Sequence, residues 1–169
     1  MKEAGCVRVF FGIESGSDAV LALMKKQITA GQAKKAVFTT KSAGIQVGAF
    51  FIVGYPGETD TTILDTLRFV ASLPLDYLSF TLPYPIPGTP LYERVRGSIE
   101  LDDFDQSKHR SLMEHKLLYR SAFSEAKLQF AILKASAQFR LRKLLGARGY
   151  RFLGKPFERL TDRVFTLMP

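Results

Sequence analysis

Cysteine is nearly absent from this chain of 169 residues: Cys6 is the only one. One thiol excludes an internal disulfide, and it also excludes any metal centre in which this chain alone supplies several thiolates. Long apolar runs are missing as well. No stretch approaches the ~20 apolar residues of a membrane span, and the first six residues, Met1 to Cys6, carry no signal-peptide apolar region, so the expected compartment is cytoplasmic. Histidine is scarce, and His109 and His115 sit in a basic stretch without metal-ligand spacing, which marks them as surface residues. Neither a serine-hydrolase elbow nor a Walker-type phosphate loop occurs.

Positive charge is present, and it is uneven. The formal net charge is +8; residues 1–97 carry 10 Lys/Arg against 8 Asp/Glu, whereas from Gln106 onward 14 Lys/Arg face four acids. Four acids, Glu100, Asp102, Asp103 and Asp105, cluster just before that basic tail. Such a tail suits an anionic membrane surface ahead of nucleic acid, which leaves peripheral membrane contact open for a cytoplasmic protein; the plainer reading is a solvated helix surface.

The hydrophobic pattern predicts strands at 7–13, 47–53 and 77–82, β-branched and aromatic, and their near-continuous apolar runs predict burial on both faces. Between them the pattern predicts helices at 18–26, at 30–43 with a Thr29/Gln32 capping box and Gly44 as stop, and at 61–73. The order β-α-α-β-α-β implies parallel strands joined by right-handed crossovers, an α/β fold. Three such strands do not close a sheet, and residues 1–5 read as the last turn and glycine stop of a helix, so preceding strands are expected to complete a barrel. Residues 98–169 read as a basic α-helical extension of the 1–97 core: an acidic connector at 97–106, helices at 108–120 and 124–145, a break at 146–149 and a last helix at 155–165. On a helical wheel Phe123, Phe130, Ala137, Leu141 and Leu144 line one face of the long helix, and Leu128, Ile132, Ala135 and Phe139 the opposite one, so it requires two partners.

Each strand ends in a string of glycines and ligand-capable polar groups. These are Phe11-Gly12-Ile13-Glu14-Ser15-Gly16-Ser17, Gly54-Tyr55-Pro56-Gly57-Glu58-Thr59 and Pro85-Ile86-Pro87-Gly88-Thr89-Pro90. The ends of parallel strands are where α/β folds build sites. Glu14, Ser15 and Ser17 offer a carboxylate and two hydroxyls, suited to ribose hydroxyls or an ammonium group. The alternative is that Ser17 caps the helix opening at Asp18 and Glu14 is a solvated strand-end acid.

In order and spacing the three strings resemble the second half of the radical S-adenosylmethionine (SAM) core, and most closely its cobalamin-domain-associated members. The resemblance implies a fold that is the C-terminal half of a partial TIM-type (β/α)6 barrel. It implies that the full-length parent binds SAM and a [4Fe-4S] cluster, with cobalamin as an option, and generates a 5′-deoxyadenosyl radical for transformation of an unknown substrate. The family holds its cluster with a CxxxCxxC loop, which this chain lacks. The chain is therefore expected to be inactive alone, as a fragment needing its missing N-terminal core. The alternative is a non-catalytic α/β interaction module that uses the basic tail.

By this resemblance Glu14, Ser15 and Ser17 meet the ribose and methionine portion of SAM, and Lys26 reaches its carboxylate, unless it is a solvated surface lysine. Ile52 packs on the adenine and Gly54 lets backbone groups approach it; Phe50 stands where a leading glycine is usual. Glu58 ties its loop to the helix entrance, with Thr59 or Asp60 as cap. The proline loop at 85–90 forms a rigid wall, or simply turns into residues 91–94.

Overall fold

The structure, a computed structural model, describes residues 1–99 and 117–169. The elements are β1 (Arg8–Glu14), α1 (Asp18–Leu23), α2 (Ala30–Ser42), β2 (Gln46–Ile52), α3 (Asp60–Ser72), β3 (Tyr77–Thr81), α4 (Pro90–Val95), α5 (Glu125–Gly149) and α6 (Lys155–Leu167). A 3-10 turn follows α4, and a π-helical turn, Tyr150–Gly154, joins α5 to α6.

The three strands form one parallel sheet in the order β1-β2-β3, with Phe10 opposite Gly48 and Gly48 opposite Tyr77. This α/β arrangement is an open portion of a TIM-type barrel wall. The caps follow the sequence: Thr29 and Gln32 form a reciprocal capping box at α2, and Thr59 and Thr62 form one at α3. Thr89 caps α4 with Pro90 in its first turn, so the proline loop turns directly into a helix at 90–95.

One face of the sheet is buried. Val47, Ala49, Phe51 and Val53 pack with Val37 of α2, Ile63 and Leu67 of α3, and Leu128, Ala131 and Ala135 of α5 in a single core that also takes in Phe165 of α6. The other face is open, which corrects the expectation of burial on both sides. Its apolar residues are rings: Phe10 stacks on Phe50 at 5.5 Å between centroids and lies 5.8 Å from Tyr77. Arg8 lies 4.1 Å over the Tyr77 ring and donates to its hydroxyl at 2.7 Å and to Gln46 at 3.2 Å. Phe10 occupies the space in which a Cβ at Gly48 would stand, 2.2 Å away, and that explains a glycine in mid-strand.

The basic extension differs from its sequence reading. The helix expected at 108–120 lies mostly outside the described residues, as do the acidic cluster and both histidines. Its described end, residues 117–120, is not helical, and Tyr119 makes an antiparallel bridge to Ile99. Along α5 the fully buried positions are Lys127, Leu128, Ala131, Lys134, Ala135 and Gln138, while Leu144 is exposed. Two lysines are inside because each has a counter-charge: Lys127 lies 2.9 Å from Asp60, and Lys134 lies 2.6 Å from Asp162. Gly146, at φ 66°, kinks α5 as the glycine string predicts.

Candidate functional site at the strand ends

The site is built where β1 and β2 end. Glu14 closes β1 in a left-handed conformation, φ 70°, at a register shift between Gly12 and Glu14. That twist folds its carboxylate back over the sheet, so that a Cβ on Gly12 would stand 2.8 Å from Oε1. Gly12 leaves that space vacant on the same face as Phe10. After α1, Lys25 takes a left-handed turn (φ 56°) in which the Lys26 amide donates to the Leu21 carbonyl, a Schellman-type ending that stops the helix at Leu23, three residues short of its expected end at Lys26. The reversal brings Lys26 Nζ to 3.1 Å from Glu14 Oε1. The pair is partly exposed, worth at most about 1 kcal/mol of stability, and its fold role is correspondingly small. Ile52 ends β2 on the same open face, one residue past Phe51, the register partner of Glu14.

Glu14, Lys26 and Ile52 thus share one end of one face. Ser15 does not join them. Its side chain is fully buried and turned toward α3, 2.9 Å from Thr66 Oγ1, and it accepts from the Ser17 amide at 3.1 Å. Gly16 completes the docking: its amide donates to Thr66 Oγ1, and a Cβ there would strike Phe69 at 2.4 Å. The hydroxyl of Ser15 holds the loop on the helix. Ser17 stands at the N-cap of α1 without a side-chain capping bond and is almost fully buried.

Gly54 belongs to the same frame. Its amide donates to Glu58 Oε2 at 2.7 Å and its carbonyl accepts from the Tyr119 hydroxyl at 3.0 Å. Its φ of 85° requires glycine, and a Cβ would stand 2.7 Å from Leu128 of α5. Glu58 Oε2 also accepts from the Tyr55 amide at 2.8 Å, closing the loop as expected of a structural acid, and Thr59 is the cap. Glu58 Oε1 is buried without a hydrogen bond among the described residues. Burial pushes this carboxyl up to about 7 against the pull of the two amides. Burial, then the Glu58 and Tyr55 charges, raise the Tyr119 phenol, which stays a neutral donor.

Thr66, Tyr119 and Leu128 are missed by sequence reasoning. Thr66 leaves one trace, a hydroxyl on the apolar face of α3; Tyr119 acts across 65 residues and leaves none. Among the described residues no group of three His, Cys, Asp or Glu could hold a metal ion.

A model of the radical SAM superfamily matches residues 1–70. The chain is 34% identical over 142 residues to an uncharacterized methyltransferase of Pyrococcus horikoshii, a match covering 84% of this chain and 30% of that protein. It is 31% identical over 164 residues to a putative methylthiotransferase of Methanocaldococcus jannaschii, covering 93% of this chain and 36% of the relative. Among solved structures it resembles the Methanocaldococcus infernus Elp3 with an N-terminal deletion, at TM-score 0.54 and 17% identity, over 79% of this chain and 27% of that one. This chain therefore spans about a third of the length of these relatives. The matched residues 1–70 include the β1 loop in which Glu14 and Lys26 meet, so the geometry and the similarity fall on the same strand end. By the family model and these relatives the chain belongs to the radical SAM superfamily.

Proposed function

We propose that this chain supplies the SAM-binding end of a radical SAM enzyme whose four-iron cluster is ligated by cysteines outside it. The observation that carries the reading is the Glu14–Lys26 pair, set over Gly12 on the open face beside Ile52. A carboxylate 3.1 Å from an ammonium presents opposite charges in the spacing that the α-ammonium and α-carboxylate of SAM would exchange with, and Ile52 offers an apolar surface to the adenine. With a cluster, SAM supplies radical chemistry in this superfamily; the part of these residues is to bind it and fix its orientation. Cys6 is the only thiol, so the residues present do not fit a four-iron cluster, and no step of this chain runs through one.

That single cysteine also favours a second reading, a non-catalytic interaction module. The two readings differ in what they expect of SAM. Equilibrium dialysis of labelled SAM against the chain should show retention that Glu14→Ala weakens by about tenfold or more, the ~1–3 kcal/mol of a lost charge-assisted bond. Anaerobic iron and sulfide reconstitution should leave no stoichiometric cluster. Absent retention, or equal retention by the variant, overturns the SAM reading and favours the module.

A further inference from the structure

Helix α6 faces the wrong way for a helix that covers a core. Its inward side carries Glu158, Thr161 and Asp162 with one fully buried residue, Phe165. Its outward side carries Phe157, Leu160, Val164 and Leu167, continued one turn back by Leu153. The spacing is four, three, four and three residues, a single apolar stripe. Leu153, Leu160 and Leu167 are 66%, 64% and 85% exposed, and Phe152 beside them is 78% exposed. Lone exposed apolar residues are ordinary; a continuous stripe along a helix marks an interaction surface.

The orientation is enforced. Asp162 lies 2.6 Å from Lys134, whose side chain is fully buried, and 2.8 Å from Arg68 of α3. The end of α6 is held by Lys127, which donates to the Met168 carbonyl at 2.9 Å and lies 5.1 Å from the Phe165 ring. Turning α6 to bury the stripe would take the counter-charge from Lys134 in the interior, an arrangement that buried ion pairs penalise heavily.

Charge identifies the occupant. Lys155, Arg159 and Arg163, four residues apart, form an exposed row beside the stripe, with Arg151 at its head; none makes an ion pair among the described residues. The two acids of α6, Glu158 and Asp162, face inward. A second copy of this surface would bring basic rows together. An acidic lipid surface meets both features, with headgroup charge at the row and acyl chains at the stripe. Among the described residues no helix is long and apolar enough to cross a membrane, and a helix lying in the interface does not need to be.

We propose that α6, with the turn before it, docks this protein on the surface of a bilayer containing acidic lipid, the Leu153–Leu167 stripe entering the headgroup–acyl boundary and the Lys155–Arg163 row meeting the headgroups. The chain has no tryptophan, so Phe157→Trp creates a sole fluorescent reporter on the stripe. With phosphatidylcholine vesicles containing phosphatidylserine, its emission should shift to the blue, and brominated lipids should place it ~5–10 Å into the boundary. Binding should fall with added salt and be weak on pure phosphatidylcholine. Leu160→Glu with Leu167→Glu, both at exposed positions and checked for retained fold by circular dichroism, should weaken vesicle binding by about tenfold or more, and Arg159→Glu with Arg163→Glu should do likewise. Failure of the intact chain to bind acidic vesicles overturns the proposal, and so does binding that the two leucine substitutions leave unchanged. A dimer in sedimentation that the leucine substitutions dissociate, without vesicle binding, also overturns it and assigns the stripe to a second copy.

Discussion

The loops that close β1 and β2 resemble one another in sequence, each with two glycines and a glutamate, but they do opposite things with the acid. At the end of β1, Glu14 is turned out over the open face and, among the described residues, pairs only with Lys26, at the surface. At the end of β2, Glu58 is turned in and holds the amides of Gly54 and Tyr55, while Tyr119 and Leu128 press on Gly54 from the far end of the chain. An acid that already accepts two backbone bonds in the interior is part of the scaffold. One held by a single exposed lysine can exchange that partner for a ligand at little cost. The difference separates the frame of the site from the groups that can serve it.

The sharpest way to break this contrast is Gly54→Val. A branched side chain at φ 85° against Leu128 should cost about 3–5 kcal/mol, read as a lowered urea midpoint, with any effect on SAM following from lost fold. A stable Gly54→Val chain that loses only SAM would assign Gly54 to the purine and undo the contrast. Glu58 gives the next effect. In the folded state its carboxyl titrates near 7 instead of 4.5, so the fold keeps the proton through a window in which the unfolded chain releases it. Its contribution is therefore complete below pH 4.5 and is lost as pH rises to about 7, by about 3 kcal/mol. Urea midpoints at pH 5 and pH 7.5 should show that decline, and Glu58→Gln should flatten it; a midpoint that rises with pH in step with this residue would contradict the buried assignment. Ser15→Ala should give the smallest of the three, about 1–2 kcal/mol from the bonds to Thr66 and Ser17, with SAM retention unchanged. Were Ser15→Ala neutral in stability but deficient in SAM retention, Ser15 would join Glu14 among the ligand-facing groups.

Local chemistry was the legible part of this sequence. The strands, the Thr29–Gln32 box, the Thr59 cap and the break at Gly146 all depend on neighbours within a few residues, and each falls within one or two residues of its expected place. What could not be read depends on distant residues. Lys127 and Lys134 look like members of a basic surface until Asp60 and Asp162, 67 and 28 residues away, bring counter-charges to them. Ser15 and Ser17 both look like ligand hydroxyls, and only the position of Thr66 decides which way Ser15 turns. The apolar runs in β1 and β2 announced burial on both sides, yet aromatic rings can cover one another on an open face at 5.5 Å and leave that face in solvent. Tyr119 sits in a stretch whose apolar spacing suits a helix, and its bridge to Ile99 is set by a strand-like neighbour that periodicity does not report.

The ring cluster of Phe10, Phe50 and Tyr77 also gives the open face a floor. Phe50 lies level with Gly12, two residues or about 7 Å at the rise of a strand from the end of β2, so aromatic carbon begins close to the loop end and runs on to Phe10 and Tyr77. Gly48 is the joint in that floor, since a methyl group there would lift Phe10 from its seat. The open face of these three strands therefore carries one continuous aromatic patch, and its seating rests on the absence of a single methyl group.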